Sequence, residues 1–306
     1  MYLLLGSPQD LCCLGVQDAL EARGDETRIV SNPFEYPFRF AWQLSNEDST
    51  SQLVLDEESP LSHEDITGVL VRRSGWIDPN GWETEDLAYM QLENQAALLA
   101  WLWSLPCPVV NRYPASIWYE SHPHPLSWHR QLRRCGLPTP KTLITNIDDE
   151  SRAFGQQVAG EGVTGVVYGP LTRDIRYLIS DKDDWNGLAA MQRCAPVSLT
   201  YPHGPAQFVC VVGAETIWEG EPPPEAGELE PALHRFATAA GLAFVALAFA
   251  RTAQGICVIA VEPHPYFEHF GDRARQQIAD RLVTILTANS GSSRKSAVQA
   301  FQRRYV

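Results

Sequence analysis

The chain has 306 residues, 44% of them hydrophobic and 9 of them Trp, with a formal net charge of −13 at pH 7. That length suits two or three packed subdomains with ample core. The acidic balance, with no basic stripe to offset it, excludes nucleic acid as a partner. No stretch reaches the ~18 uninterrupted apolar positions of a membrane span, and the short apolar start Met1–Leu5 lacks a basic n-region. The expectation is a cytoplasmic protein with no membrane partner; composition leaves a homo-oligomer open.

In chain order, residues 2–6 read as a strand, Gln9 to Arg23 as a helix (Leu11, Leu14, Val16, Leu20) closed by Gly24, and Thr27–Val30 as a second strand. Residues 45–64 are rich in Ser, Asp and Glu and read as a surface excursion with a short strand at Gln52–Leu55. Gly68–Arg73 reads as a central strand, Asp86–Leu105 as a long amphipathic helix and Val109–Asn111 as a further strand. A loop through Tyr119–Pro125 hands over to a helix at Ser127–Cys135, then a strand near Lys141–Asn146, a helix at Asp149–Ala159 and strands at 163–168 and 176–179. Strands at 197–201, 207–212 and 215–219, a helix from Pro231 to Ala240, strands at 242–250 and 256–262 and a helix at Gly271–Thr287 complete the pattern. The Ser-rich, then basic, residues 289–306 read as a mobile tail. The fold class expected is α/β and α+β, divided as 1–118, 119–190, 191–288 and a tail at 289–306. The seven cysteines form no CxxC and no zinc-like spacing, so most of them read as small buried hydrophobes.

Several pieces in order resemble one family. Val71-Arg72-Arg73 precedes Glu93 on a helix, then come Val109-Val110-Asn111-Arg112, Gln131-Leu132 and Gly136-Leu137-Pro138-Thr139-Pro140-Lys141-Thr142-Leu143. Val211-Val212-Gly213, Gly241-Leu242-Ala243-Phe244 and Glu262-Pro263-His264-Pro265-Tyr266-Phe267 follow. Over most of residues 60–287 the chain resembles the ATP-grasp superfamily, in its branch of ribosomal-protein-S6-modifying and graspetide-forming carboxylate–amine ligases. The resemblance implies a small doubly wound N-terminal domain followed by two α+β subdomains that clasp ATP, and a reaction in which ATP phosphorylates a carboxylate before an amine or hydroxyl displaces phosphate. Such chemistry needs cationic clamps and bridging magnesium.

Residue by residue, the grips that the resemblance implies are missing. One nucleotide lysine falls near His124 and the second on Gly169, within Tyr168-Gly169-Pro170-Leu171. An arginine position falls near Phe208. The magnesium-binding Asp falls on Ala248, and the paired Glu and Asn on Ala260 and Glu262. The chain holds only three lysines, Lys141, Lys182 and Lys295, none at those places. Each charge-assisted contact is worth ~1.5–3 kcal/mol, and Mg²⁺ demands several oxygen ligands in octahedral array. The leading expectation is a degenerate nucleotide and metal site with no cofactor, in a binding or regulatory partner of a peptide or protein. A working ATP- and magnesium-dependent ligase in which Arg173, Arg176, Arg251 and Glu262 replace the missing groups stays as the alternative. A metal-dependent enzyme at Glu262, His264 and His269 is the third reading. Arg72, Arg73 and Glu93 are the candidates for meeting a substrate peptide, since open α/β sheets place ligands at strand ends.

Overall fold

The computed structural model describes residues 1–33, 39–45, 49–55, 60–72, 77, 80–119, 125–169 and 176–288. Strand β1 (Tyr2–Leu5) leads into helix α1 (Leu11–Glu21), where the Asp10 carboxylate accepts from the amides of Cys12 at 2.8 Å and Cys13 at 3.1 Å. Those donors have no partner within the helix, so the cap fixes where it starts. After β2 (Thr27–Val30) comes a three-stranded antiparallel sheet of β3 (Arg39–Leu44), β4 (Ser49–Val54) and β5 (Leu61–Ser62). Next are β6 (Gly68–Val71), the long α2 (Thr84–Ser104), β7 (Val109–Val110) and the single turn α3 (Ala115–Trp118).

Strands β2-β1-β6-β7 form a parallel sheet in that order. Alternation along β1 sends Leu3 and Leu5 toward Leu98, Trp101 and Leu102 of α2, and Tyr2 and Leu4 toward Val16 and Leu20 of α1. Helices on both faces make this the doubly wound unit that the sequence predicts. The stretch read as a surface excursion is better ordered than its polarity suggests. Phe40 on β3 meets the Trp101 ring edge-on at 5.5 Å, Leu53 is buried, and Trp101 Nε1 donates to Ser51 Oγ at 3.0 Å.

The second unit runs α4 (Pro125–Cys135), β8 (Thr142–Thr145), α5 (Asp148–Gly160), β9 (Val166–Gly169), β10 (Tyr177–Ile179), α6 (Lys182–Gln192) and β11 (Val197–Thr200). Its antiparallel sheet, ordered β10-β9-β11-β8, is covered on one face by α5 and α6 through Phe154, Val158 and Leu188. Helix α4 ends on Gly136 at φ +83°, a left-handed turn that suits glycine. There Arg235 donates to the free Cys135 carbonyl, with Nη2 at 2.8 Å. Helix α6 was not foreseen, although Asp181 and Asp184 build a capping box in front of it.

The third unit comprises β12 (Gln207–Val212), β13 (Glu215–Trp218), α7 (Ala226–Ala240), β14 (Phe244–Thr252), β15 (Gly255–Glu262), a 3₁₀ turn at Phe267–His269 and α8 (Asp272–Thr287). The sheet order is β13-β12-β14-β15, all antiparallel. Helix α7 starts five residues before the expected Pro231, which sits inside it. Helix α8 packs Ile278, Leu282 and Leu286 into one cluster with Leu20 of α1, Leu4 of β1 and Phe244 of β14. The parallel and large antiparallel sheets therefore share a core. The side chain of Asn111, 1% exposed, closes the seam: its Oδ1 accepts from the amides of Ala243 (2.8 Å) and Phe244 (2.9 Å), and its Nδ2 donates to Phe244 O (2.6 Å). An amide side chain thus stands in for a strand neighbour at the start of β14. Among the described residues no helix is long and apolar enough to cross a membrane.

Candidate functional site

The register of the large sheet places Phe208 on β12 opposite Ala248 on β14, and Ala248 opposite Ala260 on β15. Residues directly opposite on paired strands point to the same face. Phe208, near which the resemblance puts an arginine, and Ala248 and Ala260, where it puts metal-binding carboxylates, are therefore neighbours in one transverse row, and all three are apolar. Ala248 is only 2% exposed. A methyl group there offers no lone pair to a cation and no proton to a phosphate.

Glu262 lies on the adjoining row, opposite Ala246. Its Oε1 is 3.1 Å from His269 Nε2, and its Oε2 accepts from the Tyr266 amide at 3.2 Å. The His269 ring in turn lies flat on Phe208, with centroids 4.0 Å apart and planes within 7°. The single acid left from the implied metal set is thus spent on a histidine that covers the aromatic ring. Burial pushes the Glu262 carboxyl above the ordinary carboxylate range, while His269 and the Tyr266 amide pull it back. The His264 ring packs on Tyr113 with centroids 4.4 Å apart. Among the described residues no group of three or more His, Cys, Asp and Glu is placed to hold a metal ion.

The remaining candidates scatter. Tyr168 shares the helix-covered face of its sheet with Val166, stacks on Tyr177 at 5.8 Å and directs its hydroxyl at Met191 Sδ, 3.7 Å away on α6. Gly169 turns to the other face, opposite Ser198. Arg176 reaches from the second unit to the third and donates to Ile259 O at 2.9 Å. Ile259 is the extra residue where the β14–β15 register shifts, a bulge at which ladder pairing is interrupted. Arg251 follows Leu247 and Phe249 onto the face away from Ala248, and its Nη2 meets both carboxylate oxygens of Glu225 at 3.0 and 3.1 Å. Glu93 is exposed on α2. Lys141 donates to Gln157 at 2.8 Å and Lys182 opens α6. His124, Arg73, Arg173 and Lys295 lie outside the described residues.

Arg72 is 5% exposed at the end of β6, its Nε 3.2 Å from Asp10 Oδ2 and its Nη2 2.6 Å from Pro265 O. Sequence reasoning picked out Arg72 and missed Asp10, whose place before an apolar helical run was the available signal. Cys12 and Cys13 are buried beside them. Burial pushes the Cys12 thiol up to about 12 and Cys13 higher still, so both stay protonated.

No family model matches the chain, and no curated protein sequence does. Solved structures do. The macrocyclase MdnC of Microcystis aeruginosa, bound with precursor peptide MdnA, superposes with a TM-score of 0.74 at 18% identity, covering 95% of this chain and 99% of its own. An ATP-grasp ligase of Chryseobacterium gregarium, associated with RiPP biosynthesis and in complex with ADP and a leader and core peptide, gives 0.72 at 15% identity, over 95% and 97%. The ATP-grasp ligase PsnB complexed with its minimal precursor gives 0.69 at 21% identity, over 94% and 98%. Over that 94–95% of its length the chain has the fold of these ATP-grasp ligases.

Proposed function

We propose that this protein is an ATP-grasp scaffold without a working nucleotide and metal site, and that it serves as a non-catalytic binding partner of a peptide or protein. The apolar row Phe208–Ala248–Ala260 carries the reading. Phosphoryl transfer relies on metal ions and fixed cations to neutralise charge that develops on the transferring group, and that row presents neither. The two described arginines available as substitutes are engaged elsewhere, Arg176 on a backbone carbonyl and Arg251 on Glu225 across the sheet. A peptide partner is supported by the like-folded MdnC and PsnB, whose structures hold precursor peptides. The division into units 1–118, 119–190 and 191–288, and a role inside the cell, belong to the same proposal.

The test is turnover. Purified protein incubated with Mg-ATP and acidic precursor-like peptides is expected to release no phosphate above a buffer control and to leave peptide mass unchanged. Dehydrated, cross-linked peptide would overturn the proposal, most directly if the product disappears in E262Q.

A further inference from the structure

A crevice opens where the chain changes direction through the parallel sheet, lined by none of the three residues of the alanine row. From β1 the chain turns to α1 on one face and reaches β2; from β6 it turns to α2 on the other face and reaches β7. The crossover direction therefore reverses between β1 and β6, and the crevice outside the carboxyl ends of such strands is where open α/β sheets accept ligands. Here that crevice has a volume of about 250 Å³, below the ~300–1,000 Å³ of sites for drug-sized molecules. Arg72 and His264 form its inner wall, Leu11 and Tyr266 supply apolar surface, and the carboxylates of Asp10 and Glu268 lie beside them. Tight packing builds the inner wall: a Cβ on Gly6 would come within 3.0 Å of Arg72 Cβ and 2.8 Å of Cys13 Sγ, so only glycine lets β1 pass this close.

The charges define what fits. Arg72 spends Nε on Asp10 and Nη2 on Pro265 O, while Nη1 is buried with no hydrogen-bond partner. Arg72 is the one permanent cation among the residues that line the crevice, so it is the group there that an anionic or carbonyl oxygen would meet. Two carboxylates against one guanidinium make the lining net acidic, which disfavours phosphate and favours a ligand that also carries positive charge. We infer that this crevice binds a small α-amino unit: a carboxylate or carbonyl oxygen set against Arg72, an ammonium group against Glu268 or Asp10, and a short side chain over Leu11 and Tyr266. A free amino acid and the amino terminus of a peptide share that chemistry. The inference does not depend on the state of the nucleotide site, because none of these side chains belongs to the alanine row.

The test uses the full chain, with the twenty free α-amino acids, their amides, their N-acetyl derivatives and matching dipeptides as probes, read by ligand-observed NMR and by Tm. At least one free amino acid is expected to bind with Kd in the millimolar range or below. Binding should weaken at least tenfold in E268Q, an exposed position, and disappear in L11W, which fills the crevice without changing charge. Dipeptides binding as well as free acids would assign the site to a peptide amino terminus; free acids alone would assign it to a metabolite. Silence across all probes, N-acetyl derivatives binding as tightly as free amines, or indifference to both substitutions would overturn the inference. A retained urea midpoint in both variants shows that a loss is local.

Discussion

Two parts of the large antiparallel sheet are furnished in opposite ways. At the seam with the parallel sheet, Asn111 meets three backbone groups at the start of β14, Tyr113 donates to Pro263 O at 3.1 Å, and Arg72 holds Pro265 O. Four residues further along β14, the row through Ala248 contains no polar side chain. Asn111, Tyr113 and Arg72 persist at the seam because each makes hydrogen bonds across it that fix how the two sheets meet. In the row, nothing of that kind is needed for folding, and only a bound charged ligand would call for it. The difference teaches that the joint between the two sheets is specified by hydrogen-bonded polar groups, whereas the row through Ala248 contributes only apolar surface.

Substitutions can break that comparison. The largest effect is expected from A248D, because a carboxylate at a site only 2% exposed would be flanked in its row by Phe208 and Ala260, which carry no charge to pair it; a loss of about 3–5 kcal/mol, the range for an uncompensated buried charge, should appear in urea unfolding. Little loss, or recovery on adding Mg²⁺, would mean that the row can accept a metal after all. Next comes N111A, which strands two amides and a carbonyl at the seam and should cost roughly 3 kcal/mol by the same measurement. R176M should cost about 1.5–3 kcal/mol, the range for a hydrogen bond from a charged group, and should raise protease sensitivity within residues 142–200. If it changes neither, the second unit is not tied to β15 as the contact with Ile259 implies.

The Glu262 carboxyl sharpens the contrast through pH. Burial raises its folded-state pKa, so its contribution to stability is full below the unfolded carboxylate value and is lost as pH rises through the folded one. The stability of E262Q relative to the parent should therefore improve from acid to neutral pH, and a trend in the opposite sense would assign the His269 pairing the larger share. The smallest effect, within about 1 kcal/mol, is expected for R251A, whose pair with Glu225 is solvent-exposed.

Much of this was legible in the sequence because periodicity and caps are local signals. The first strand and helix, the strand at 68–71 and the alternation of the last strands needed only hydrophobic spacing. The β3–β4 hairpin was hidden by the polar residues around it, although Phe40, Trp42 and Leu44 alternate as a half-buried strand does. Helix α6 was hidden by its weak apolar stripe, with its cap as the overlooked clue. Of the candidate site, the sequence offered only the expectation, drawn from the family resemblance, that Ala248 and Ala260 stand where carboxylates are implied. That the two face each other, that Phe208 completes their row, and that His269 lies over it are facts of register and tertiary packing, which no single segment encodes. The face on which Arg251 lies was hidden for the same reason: one step along a strand changes the face, and the choice of face depends on which helix packs there.

The most direct measurement is a calorimetric titration of Mg-ATP into the purified protein at physiological salt. No saturable heat at nucleotide concentrations up to several millimolar is the predicted result. A saturable isotherm with a micromolar Kd, dependent on magnesium and lost in E262Q, would contradict it.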